Sequence, residues 1–185
     1  LRRVWEPAKA RVAEEVADMR EIAGHEIEPW DYLYYAEKVR KAKYDLDQNE
    51  LKPYFELNNV KRGAFYMAER LYGFTFTPLP AETVPVFHPD VEVFEVKDKA
   101  SGRHVGLFYS DDFARPGQRS GAWMTTYRSY STYDGVTSVL ASNNNHFIQA
   151  EGEEPLLISL DAAETLVREF GHALHHLSYT LPYPP

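Results

Sequence analysis

The hydrophobic period changes twice along this 185-residue chain, and the order of the changes restricts the fold more than any single motif does. Over residues 6–23, Val12, Val16, Met19 and Ala23 recur at helical spacing, and Gly24 stands where a helix would end in the left-handed region. A second helix is predicted after Pro29, from Asp31 to Tyr44, with its long Lys and Glu arms toward solvent. A third takes Asn58 or Asn59 as its N-cap, carries Phe65, Met67, Ala68 and Leu71, and stops at Gly73. The period then shortens. Residues 84–87, 91–96 and 105–109 are rich in β-branched and aromatic side chains, and the turn-forming run 97–102 joins the last two as a hairpin. Residues 110–121 read as a loop, Asn143-Asn144-Asn145 as a turn and 156–158 as a short buried strand. A last helix is predicted over 162–178, with Leu166, Phe170, Ala173, Leu174 and Leu177 as its apolar stripe and Asp161 with Glu164 as a capping pair. Helices, then a small antiparallel sheet, then a helix make a mostly helical α+β chain. It reads as one segment: helical over 1–73, sheet and loops over 74–158, last helix and tail over 159–185.

Charge narrows the function classes. A net charge of −8 argues against nucleic acid, whose phosphates need a basic surface, and against an anionic membrane face. No apolar run approaches the ~20 residues that span a bilayer. Cysteine is absent, so no disulfide framework exists. The opening residues lack the apolar core of a signal peptide, which leads to an expectation of a cytoplasmic protein. Because the chain begins at Leu1 rather than Met, its N-terminus is expected to extend further. Thirteen tyrosines read first as packing residues.

The last helix carries the chemistry. Residues 168–172 read Arg-Glu-Phe-Gly-His, one residue short of H-E-x-x-H. In that motif two imidazoles one turn apart hold Zn²⁺, and the Glu handles the proton of the metal-bound water. Glu169 occupies the position of the base and His172 that of the second ligand, while Arg168 stands where the first ligand belongs. A guanidinium offers no acceptor and brings a positive charge to the place of a cation. Arg168 also lies four residues after Glu164, the spacing of an ordinary surface ion pair. His172 and His176 form an i,i+4 pair of their own. Asp111-Asp112 reads as part of a solvated loop, and His88 and His104 as turn or strand-end residues.

Residues 164–176, Glu-Thr-Leu-Val-Arg-Glu-Phe-Gly-His-Ala-Leu-His-His, resemble the active-site helix of the thimet oligopeptidase family, which includes oligopeptidase A and the peptidyl-dipeptidases. That helix typically reads E-T-L-F-H-E-F-G-H-A-L-H. Trp30-Asp31 with Tyr34-Tyr35 resembles the family's W-D-x-x-Y-Y segment, and the runs 49–55, 70–73, 88–91, 106–109, 115–117 and 121–123 match in the same order. The resemblance covers roughly residues 29–178. It implies a zincin-like catalytic region whose small sheet lines a channel and pairs with short peptide substrates. It implies zinc held by the two motif histidines and by a Glu on a following helix, which would lie beyond Pro185. Of those roles, Glu169 maps onto the general base and His172 onto a ligand. With Arg168 in place, little or no peptidase activity is expected of this chain. The alternative expectation is a non-catalytic module that binds peptides or a partner through the same sheet.

Overall fold

Residues 2–44, 48–80, 82–133, 135–149 and 154–181 are described by the structure, a computed structural model. The chain divides into two units, Leu1–Glu50 and Leu51–Pro185. The first contains α1 (Arg2–Ala23) and α2 (Tyr32–Tyr44). Gly24 takes φ 73° and its N–H donates to the Arg20 carbonyl at 2.9 Å, the helix stop read from the sequence. Met19 is buried and lines a cleft with Tyr32, Ala36 and Val39 of α2. A short helix, α3 (Gln48–Leu51), and a 3₁₀ turn (Lys52–Tyr54) follow.

The second unit is built on a five-stranded sheet. α4 (Leu57–Tyr72) comes first, capped by the Glu56 carboxylate, which accepts from the N–H groups of Asn58 and Asn59 at 2.9 and 2.8 Å. The expected Asn caps therefore lie inside the first turn, and an anion sits at the positive end of the helix dipole. Gly73 ends α4 at φ 72°, as predicted.

The strands are β1 (Phe74–Pro78), β2 (Glu92–Asp98), β3 (His104–Phe113), β4 (Trp123–Arg128) and β5 (Val139–Phe147). Their order is β1-β2-β3-β5-β4. The α+β reading holds, but the sheet is mixed rather than antiparallel. β1, β2 and β3 form a meander. β4 and β5 form an antiparallel pair that joins through β5, and this makes β3 and β5 parallel. At that junction Gly106 lies opposite Val139, and a Cβ on it would sit 2.2 Å from the Val139 carbonyl oxygen. Only glycine admits the approach.

α4 and α5 (Leu160–Ser178) cover one face of the sheet. Phe94, Val96, Phe108, Val139 and Ala141 from the strands pack with Ala64, Ala68, Phe170, Ala173 and Leu177 from the helices. Phe65 stacks on Phe76 at 4.5 Å, and Phe170 meets Phe108 edge-on at 5.4 Å. Each such ring removes enough apolar surface from water to stabilise the fold by ~1.5–3 kcal/mol. The other face buries Val91, Val93 and Tyr109 beneath Leu79 and Val84. Strand β2 is thus covered on both sides, with Phe94 and Val96 in one cluster and Val93 in the other.

Several sequence expectations fail for identifiable reasons. Residues 84–87 form no strand, since Pro80, Pro85 and Pro89 punctuate the segment and proline cannot donate to a ladder. Residues 156–158 make only an isolated bridge, Leu157 to Glu56, with Ile158 buried beside Leu57 and Leu166. Asp111 and Asp112 are not in a solvated loop but buried near the end of β3. Asn143, Asn144 and Asn145 form no turn; they lie buried in β5. Asn disfavours strands unless its amide finds partners, and here it does. Asn144 Nδ2 donates to the Trp123 carbonyl at 3.2 Å, and Asn145 Nδ2 to Asp112 at 2.8 Å. Residues 182–185 of the expected tail lie outside the described residues.

Candidate functional site

α5 begins two residues earlier than expected because Ser159, not Asp161, is its N-cap. The Ser159 hydroxyl oxygen accepts from the Ala162 N–H at 3.1 Å, and Asp161 lies in the first turn. The buried stripe of α5 runs through Ala163, Leu166, Phe170, Ala173 and Leu177. Glu169 is three residues after Leu166 and four before Ala173, so helical geometry sets its carboxylate on the apolar face. It is buried there, and a buried carboxylate is costly unless it is paired.

Two groups pair it. Glu169 Oε2 accepts from the Met124 N–H at 3.0 Å, a main-chain donor of β4. The Arg168 guanidinium approaches Oε1 at 2.7 Å, with the Arg168 side chain 68% exposed and that of Glu169 7%. Adjacent helix positions point ~100° apart, so the long Arg arm must fold back to reach its neighbour. It pairs with Glu169, not with Glu164 as the i,i+4 spacing suggested. Because the guanidinium stays in solvent, the pair stabilises by no more than ~1 kcal/mol.

His172 is exposed on the next turn, as is His175, and His176 is half-buried. The rings of His175 and His176 lie 5.9 Å apart. Burial, and then the fields of His175 and His172, push the His176 imidazole below its usual range. Among the described residues, no group of three or more His, Cys, Asp or Glu side chains is placed to hold a metal ion. A guanidinium stands one turn before His172 and is already bonded to the carboxylate beside it, so the residues present do not fit a zinc site.

The two aspartates on β3 belong to a separate polar network. Asp112 accepts from Lys61 Nζ at 2.8 Å, from Asn145 at 2.8 Å and from Ser110, while Lys61 also pairs with Glu92. Asp111 takes both arms of the Arg115 guanidinium, at 2.6 and 2.8 Å. His104 opens β3, bonded to Glu95 at 3.1 Å, and His88 lies between strands. Neither aspartate nor either of these histidines joins Glu169. Sequence reasoning missed Met124 as the partner of Glu169, and no signal pointed to it, because the donor is a main-chain group that any residue supplies.

The model of Peptidase family M3 matches residues 1–184, which extends the resemblance to the first helix. The dipeptidyl carboxypeptidases of Escherichia coli and Salmonella typhimurium are 40% and 39% identical over 183 residues, covering 96% of this chain and 26% of their own length. Oligopeptidase A of Escherichia coli is 33% identical over 180 residues, covering 92% of this chain and 26% of its own. The chain spans about a quarter of the length of these relatives. No helix among the described residues is long and apolar enough to cross a membrane. With the motif helix, the sheet beneath it and this match in agreement over nearly every residue, the chain belongs to Peptidase family M3.

Proposed function

We propose that this chain is a segment of the catalytic domain of a zinc-dependent, cytoplasmic oligopeptidase that hydrolyses peptide bonds in short peptides, and that as it stands it is impaired or inactive. Glu169 is the proton-handling carboxylate and His172 a metal-ligand position. The observation that carries the reading is the placement of Glu169, which is buried in the middle of α5 and bonded to β4 at the edge of the sheet. The same observation carries the impairment, because Arg168 covers the other carboxylate oxygen and fills the position of the first ligand. The names of the relatives, dipeptidyl carboxypeptidase and oligopeptidase A, support peptides as the substrate class. Purified chain with added zinc and a short quenched fluorescent peptide tests it. No cleavage above that of Glu169→Gln is expected. Zinc-dependent cleavage abolished by Glu169→Gln would overturn the impairment and keep the peptidase.

A second reading is a module that binds peptides or a partner without cleaving them. The position of β4 at the sheet edge favours it, since an edge strand offers main-chain groups to an added strand. Micromolar binding of a short peptide without stoichiometric zinc supports this reading, and stoichiometric zinc argues against it.

A further inference from the structure

The carboxylate of Glu169 is held by β4, and the helix turn beneath it is held by the neighbouring strand. Asn143 of β5 stands directly opposite Met124 in the β4–β5 ladder and is 2% exposed. Its amide reaches the backbone of α5 within the turn that carries the motif. In the orientation that pairs both amide atoms, Nδ2 donates to the Glu169 carbonyl at 3.1 Å and Oδ1 accepts from the Phe170 N–H at 2.9 Å. The reverse orientation sets Nδ2 3.3 Å from the Leu166 carbonyl and turns it toward the Phe170 N–H, donor against donor. That orientation keeps one hydrogen bond in place of two and sets one donor against another, so the first orientation is the stable one.

We propose that Asn143 is a positioning residue for Glu169. The register pair Met124–Asn143 then grips residue 169 at two points, the carboxylate by a β4 N–H and the peptide group by the β5 amide. The inference rests on the reading of Glu169 as the motif carboxylate. Its physical reason lies in the rest of the interface. Leu166, Phe170 and Ala173 dock α5 on the sheet by non-directional contact, which tolerates a small slide or rotation of the helix. Two amide hydrogen bonds do not, because they weaken steeply off-axis. A slide of ~1 Å would take the 3.0 Å Met124–Glu169 bond beyond hydrogen-bond range, and a reacting group misplaced by that much loses about 10²-fold in rate.

The test is NMR on the 185-residue chain. Asn143→Leu is expected to move the Met124 amide resonance most of the way to its position in Glu169→Ala, where the bond is gone. The amides of Val93 and Glu95, two strands away, should stay in place. If unfolding shifts but the Met124 resonance does not, the role of Asn143 is only structural and the proposal fails. Should Asn143→Leu not fold, the unaltered chain answers instead. A through-hydrogen-bond coupling is expected from Asn143 Nδ2 to the Glu169 carbonyl carbon, and a coupling to Leu166, or none, overturns the proposal. Neither readout involves zinc or cleavage, so a chain without peptidase activity can still pass, and failure here leaves the peptidase reading intact.

Discussion

Replacing Lys61 with methionine tests whether the buried polar network between α4 and the sheet holds the second unit together. Lys61 is 7% exposed and Asp112 3%, with Nζ 2.8 Å from the carboxylate. Methionine keeps most of the side-chain volume but leaves Asp112 buried with only the neutral donors Ser110 and Asn145. Breaking a buried pair from one side costs ~3–5 kcal/mol. Glu92 adds little, because its side chain is 56% exposed. At ~2–4 °C per kcal/mol for a chain of 185 residues, the thermal midpoint should fall by about 6–20 °C. Urea unfolding of Lys61→Met, of Asp112→Leu and of the double variant measures the loss and its coupling. The double variant should recover at least half of what Lys61→Met loses, since it removes both charges. The pH dependence carries its own sign. Burial alone would lower the Lys61 ammonium, but Asp112 and then Glu92 more than offset it, so it titrates above the ordinary lysine range. A raised lysine contributes stability that is complete below its unfolded value near ~10.4 and is lost as pH rises through the folded value. The wild-type chain should therefore weaken above about pH 10 more steeply than Lys61→Met. A loss under ~1 kcal/mol with an unchanged alkaline limb would refute the reasoning.

Other perturbations probe the site and its supports. Arg168→His should raise zinc affinity by about 10²-fold, roughly one ligand's share of a structural site, measured by competition with a chromophoric chelator. Unchanged affinity would count against α5 as the metal helix. Gly106→Ala should cost about 3 kcal/mol in urea unfolding, because its Cβ would meet the Val139 carbonyl and the parallel strands must part. Ser159→Ala should cost ~1 kcal/mol and Asp161→Ala only a few tenths; the reverse order would return the cap to Asp161.

The readable parts of the chain were those specified by near neighbours in sequence. The glycine stops at Gly24 and Gly73 and the stripe of α5 are local features, and local geometry realised them. Also readable were the two predicted strands that became β2 and β3, while β1 was not read. The unread parts had their partners far away. Asn143 to Asn145 look like a turn until the α5 backbone, Trp123 and Asp112 are brought against them. Asp111 and Asp112 look like a solvated pair until Arg115 and Lys61 arrive. Composition discourages burying such groups, and only these distant partners offset that cost. The caps were misread by two or three residues for a smaller reason, since several polar side chains near each helix start can serve and backbone angles select among them.

The sequence alone carried the lineage and the run Arg168-Glu169-Phe170-Gly171-His172 on its last helix, because these depend on residue identity at fixed spacing. Tertiary structure alone decided what Glu169 touches. Its partner is a main-chain N–H of a strand 45 residues away, and such a donor carries no side-chain signature. It also decided that Arg168 turns toward Glu169, since both Glu164 and Glu169 were in reach and the buried carboxylate had more to gain from a partner.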